Sequence, residues 1–235
     1  FMDNWKPFPE IPIQLGELLD DVKEVDLWCS HVHSDHYDKE LILEIKHFSR
    51  AKNICFRVLS QNHMIDEYHE IDTSLPIIHL EASKWYTPSK DSHIQIYQIA
   101  EMPLYTCHTS LVIQNNAVRF VHGNDSIISM NDYISSYKKT PKIIYYSGQY
   151  SLVSPFPQNQ VGLSNKLREE LTDKHLIRQA ERFASQMQIV GANVGILCAG
   201  PAEVSEKSLV SRVLKLNKLD LYELTRTQFE MVANR

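Results

Sequence analysis

Ser30-His31-Val32-His33-Ser34-Asp35-His36-Tyr37-Asp38 gathers three histidines and an aspartate into six positions. It directly follows a short apolar run, Val25-Asp26-Leu27-Trp28-Cys29. Imidazole nitrogens and carboxylate oxygens are ligands for zinc, iron and manganese. On a strand that runs into a loop, His31 and His33 point the same way, because side chains repeat every two residues. The loop then turns Asp35 and His36 towards a second point nearby. The spacing H-x-H-x-D-H therefore offers ligands to two adjacent metals, which neither a helix nor a regular strand would do alone. The competing reading is a polar loop that happens to be rich in histidine.

Outward from this stretch the pattern is α/β. Residues 39–48 carry apolar positions at helical spacing with charges between them, and Asp38 is placed to cap the helix. Ahead of the motif, residues 15–22 predict a short helix, and the proline-rich residues 7–12 an extended loop. Behind it follow a strand over 54–59, a helix over 62–71 and a strand over 77–80. His47, His63, His69 and His79 fall on these elements without ligand spacing and read as ordinary polar residues.

From Ser92 the chain becomes rich in strands. Residues 93–99 alternate, and 109–114 and 117–122 are two runs joined by Asn115-Asn116, a hairpin signal. Thr106-Cys107-His108-Thr109-Ser110 precedes this hairpin, and Gly123-Asn124-Asp125-Ser126 follows it. Residues 142–148 form a further strand. The loop 149–162, long for a connection, is placed to cover a site. Residues 166–189 predict the longest helix, striped by Leu167, Leu171, Ile177, Ala180, Phe183, Ala184 and Met187; His175 within it reads as solvated or packed. A strand over 193–197, a tail helix from Glu206 and a strand-like run over 220–224 close the chain.

The 235 residues suffice for a single domain, taken as 1–235, with a sizeable core. A net charge of −5 gives no general electrostatic case for nucleic-acid binding. No apolar run approaches the roughly 20 residues of a membrane helix. Cys29, Cys55, Cys107 and Cys198 show no paired spacing, which fits reduced thiols and a cytoplasmic location. Cys29 and Cys107 read as small buried apolar side chains.

The histidine motif resembles the metal-binding signature of the metallo-β-lactamase superfamily. That resemblance implies a four-layer αββα sandwich with the metals at one edge of its two sheets. It also implies that His108, before the hairpin, is a third ligand of the first metal, and that Asp125, after it, bridges two metals. His122 competes with Asp125 from the same strand end. The opening Met2-Asp3-Asn4-Trp5-Lys6-Pro7 is similar to the segment that follows the first strands of that fold, with Asn4 in place of a usual proline. Only 30 residues precede His31, so either the first strands or the true N-terminus are expected to be missing. Residues from about Trp5 to Glu203 resemble most closely the metallo-β-lactamase-like domain of CMP-N-acetylneuraminate hydroxylase-type proteins, and more loosely the ascorbate-6-phosphate lactonases. The shared features are the motif, the strand ending near Ser147-Gly148, the long basic helix and the Cys198-Ala199-Gly200 segment. The superfamily's hydrolases carry one more histidine after the last core strand, where this chain has Cys198-Ala199-Gly200-Pro201. Cys198 and Glu203 replace it in chemical type only.

Three functions follow as expectations. The first is a hydrolase using a metal-activated water on an ester, lactone or phosphoester of a small-molecule substrate. His31, His33 and His108 hold the first metal, Asp35 and His36 face the second, Asp125 bridges, and Asp35 serves also as general base. Zinc leads, with iron or manganese as alternatives, as one or two ions. The second is an iron-dependent hydroxylase of a sugar nucleotide or natural-product intermediate. It would need a separate electron-transfer partner, because no Rieske-type Cys/His pattern is present. The third is a binding protein that has lost its chemistry.

Overall fold

The computed structural model describes residues 5–6, 15–32, 36–61, 64–81, 84–89, 93–100, 108–135, 141–149, 161–198 and 203–204. They form a mixed α/β fold. Its elements are β1 (Trp5–Lys6), α1 (Leu15–Leu18), β2 (Glu24–Trp28), α2 (Lys39–Ala51), β3 (Cys55–Ser60), α3 (Ile65–Ile71), β4 (Ile77–His79), β5 (Trp85–Tyr86), β6 (Gln95–Ala100), β7 (Thr109–Gln114), β8 (Val118–Asn124), α4 (Met130–Ser135), β9 (Ile143–Gln149), α5 (Asn165–Val190), β10 (Val194–Cys198) and β11 (Glu203–Val204). The described residues fall into two compact units. The first lies within Pro12–Arg119 and Ile128–Pro141; the second within Phe1–Ile11, Phe120–Ile127 and Lys142–Arg235.

The first unit begins with a parallel sheet of order β2-β3-β4. Parallel neighbours need a crossover, and α2 and α3 supply it. α2 starts where the sequence says it should: the Asp38 side chain accepts from Leu41 N–H at 3.0 Å. It buries Ile42, Ile45 and Ser49, one face at helical spacing. Ile42 and Ile45 join Leu19, Phe56, Val58, Met64 and Tyr68 in the unit's main core. Burying each isoleucine is worth about 1.5–3 kcal/mol. On the sheet, Asp26 stands opposite Arg57, and Arg57 Nε donates to Asp26 Oδ1 at 2.6 Å.

The same unit carries an antiparallel order β5-β6-β7. Leu59, Leu80, Ile96 and Leu111 form its second core cluster. The Asn115-Asn116 turn is present: Asn115 N–H donates to Val118 O at 2.9 Å, and its Oδ1 accepts from Val118 N–H at 2.8 Å. The helix expected over 15–22 stops at Leu18. Asp21 there takes a φ of 61°, a left-handed conformation that ends a helix. Four short elements, β1, β5, α4 and β11, were not legible in the sequence. The start of the helix expected at 62, the loop over 150–160 and the tail elements beyond Val204 lie outside the described residues.

In the second unit β9 and β10 are parallel and joined by α5; β8 neighbours β9. Ser164 caps α5 by accepting from Leu167 N–H, and Gly191 ends it at a φ of 65° with its N–H on Gln188 O. Ala180, Phe183 and Ala184 are buried, as the stripe predicts, and so is Val190 beyond it. Leu167 is 41% exposed, so the stripe does not hold at the first turn. Tyr146 packs against Phe183 at 5.2 Å between ring centroids. A Cβ at Gly123 or Gly148 would come within 2.6 or 2.5 Å of the Tyr146 hydroxyl, so neither position has room for a side chain while Tyr146 stays in place.

Candidate metal centre

β2 ends at Trp28 and delivers Cys29, Ser30 and His31 into the interior of the first unit. His31 is 2% exposed, and its ring lies between two others: 4.5 Å from His36 and 4.2 Å from His108, centroid to centroid. His36 comes from the loop that Asp38 caps, and His108 from the residue before β7. Residues far apart in sequence thus meet, and a hydrogen-bonded lock explains how. Thr109, next to His108, donates through its hydroxyl to Ser30 O at 2.9 Å. The Gln61 amide donates to Ser30 O at 3.0 Å, to Cys29 O at 3.3 Å and to the Thr109 hydroxyl. All four residues are buried. The backbone beside His31 and the residue beside His108 are therefore held to each other through groups that would be costly to leave unpaired.

Ser30 Oγ lies 2.8 Å from His31 Nδ1. With Nδ1–H donating to that hydroxyl, Nε2 is left as the nitrogen suited to a metal. Three imidazoles this close would repel one another if protonated. A cluster of neutral rings around a divalent cation is the arrangement their chemistry fits.

The second unit presents its own polar group. Asp125 follows β8 directly, in a turn closed by Ser126 N–H on Gly123 O at 3.0 Å. Its carbonyl accepts from Arg182 Nη2 at 2.9 Å. His122 stacks on Phe120 and places Nδ1 3.4 Å from Ser147 Oγ. Burial pushes the Cys198 thiol up; the Ser147 hydrogen bond opposes this, and the Asp125 carboxylate adds to it. Cys198 is thus in contact with Ser147 and within electrostatic reach of Asp125.

Of the expected ligands, the structure brings His31, His36 and His108 together in the first unit and places Asp125 at the end of β8 in the second. His33 and Asp35 lie outside the described residues. His47, His69 and His79 are exposed, in keeping with an ordinary polar role. Gln61, Thr109 and Arg182 were missed, because a glutamine after a strand or a threonine at a strand start carries no signature. Cys29, Cys55 and Cys198 are free thiols, Cys29 buried as expected.

No protein-family model matches the chain, and no curated protein sequence matches it. Among solved structures it is similar to the metallo-β-lactamase fold protein YhfI from Bacillus subtilis, at 10% identity and a TM-score of 0.49, over 93% of this chain and 77% of that one. It is also similar to zinc-bound PqqB from Methylobacterium extorquens (7% identity, TM-score 0.38, 54% of this chain and 46% of that one). A third is the short form of human tRNase Z (8% identity, TM-score 0.33, 72% of each chain). The likeness is to structures of that fold. At such identities the likeness concerns the fold and assigns no substrate.

Proposed function

We propose that this chain is a metal-dependent hydrolase acting on an ester, lactone or phosphoester. The observation that carries the reading is the cluster of buried His31 with half-buried His36 and His108, locked by Gln61 and Thr109. His31, His33 and His108 hold the first ion; Asp35 and His36 face a second position, and Asp125 supplies a carboxylate to both. A divalent ion, zinc foremost, would supply a Lewis acid and a water acidified to a pKa of about 7. The protein's own part is to orient the rings, through Ser30 on His31 Nδ1 and Thr109 on Ser30 O, and to take a proton from the water at the Asp35 carboxylate.

The test is turnover of p-nitrophenyl acetate and bis-p-nitrophenyl phosphate by zinc-loaded protein. At least one should be hydrolysed, and chelation or His108→Ala should reduce the rate at least a hundredfold. Equal turnover with and without chelator would sink the proposal. Imidazole ligands suit iron as well as zinc, so iron with a visible absorption band in the purified protein would move the reading to the hydroxylase.

A further inference from the structure

A cavity of about 330 Å³ opens along α5, lined by Leu171, Lys174, His175, Arg178, Gln179 and Arg182. Lys174, Arg178 and Arg182 recur every four residues, so they lie in one row at about 6 Å per step along the helix. No acidic residue is among the described lining, although Glu170 stands four positions before Lys174 and Glu181 three after Arg178. Among the described residues, neither Lys174 nor Arg178 forms an ion pair. Surface cations on a helix commonly find a carboxylate three or four positions away. In a chain of net charge −5, three cations lining one cavity are a local arrangement rather than a reflection of composition. Arg182 is fixed at one end of the row by its bond to the Asp125 carbonyl. His175 sits within the cavity 3.4 Å from the Gln179 amide, and burial and then Arg178 hold its imidazole below the ordinary histidine range. Leu171 adds an apolar wall.

We propose that this cavity binds the phosphate group of a phosphorylated small molecule. Guanidinium groups match phosphate oxygens in pairs, and an ammonium adds a point charge. Three cations exceed what a single carboxylate needs and suit a dianion. The volume lies at the lower end for small-molecule sites, and the described lining holds no aromatic ring on which a nucleic-acid base would stack. Binding itself needs no metal, and its failure is separable from failure of the hydrolase reading.

The experiment is calorimetric titration of inorganic phosphate into the full chain in excess chelator. Saturable binding is expected, weakened at least tenfold by Arg178→Glu and by Lys174→Ala, and unchanged by Lys166→Glu, which alters an exposed cation on α5 outside the cavity. Lys174 and Arg178 are exposed, so the variants should melt with the wild type; melting curves check that. Absence of saturable phosphate binding would overturn the proposal, as would an Arg178→Glu variant that binds equally well. A single-stranded RNA oligomer that binds where phosphate does not would also overturn it.

Discussion

His31 owes its position to residues that are not themselves ligands. Gln61 holds two carbonyls beside it, and Thr109 ties one of them to the strand that follows His108. Gln61→Leu should leave those buried acceptors short of a donor. We expect a loss of about 1–3 kcal/mol in denaturant melts, together with weaker metal retention in competition with a chelator. A variant that keeps both stability and affinity would show that the lock is incidental. Around Tyr146 space is the issue. Gly148→Ala would put a methyl group within 2.5 Å of the tyrosine hydroxyl, so the ring must move. The cost should be about 1–3 kcal/mol, read as a lowered melting midpoint. The ligand histidines were legible because their chemistry is concentrated in one short motif. The lock was not, because Gln61 and Thr109 act through hydrogen bonds whose partners lie 31 and 79 positions away.

α2 is the element that joins sequence to site most directly. Its cap, Asp38, stands two residues after His36, so helix and ligand loop share an anchor. Asp38→Ala should cost about 1 kcal/mol, measured by chemical denaturation, and should loosen the His36 loop. At the end of α3, the Lys46 ammonium and then Ser74 hold the Asp72 carboxyl well below its usual range. A carboxyl depressed on folding adds stability above its unfolded pKa of about 3.9, and that stability is lost as pH falls. Asp72→Asn should therefore melt below the wild type at pH 6, and the gap should narrow as the pH drops below about 4. A gap independent of pH would refute the assignment. At this scale periodicity served well: β2, α2, β3, β7, β8, β9, α5 and β10 all stand close to where the sequence places them. It failed where elements are too short to show a period, as in β5 and α4, or where a left-handed residue ends a helix early, as at Asp21.

For the molecule as a whole, the α/β class follows from helices alternating with strands, and parallel pairing in both units bears it out. Among the described residues, no helix is long and apolar enough to cross a membrane. His31, His36 and His108 come together only in the folded chain, so metal binding should stabilise the folded state. Chelation should lower the melting midpoint of the wild type and leave a His31→Ala variant unmoved. The account's central claim is that the histidine cluster holds a metal. Elemental analysis of purified wild type, His31→Ala and His47→Ala tests it most directly, since His47 is exposed on α2 and has no proposed role. The account predicts at least one divalent ion per chain in wild type and His47→Ala, and loss of metal in His31→Ala. Full metal content in His31→Ala would contradict it.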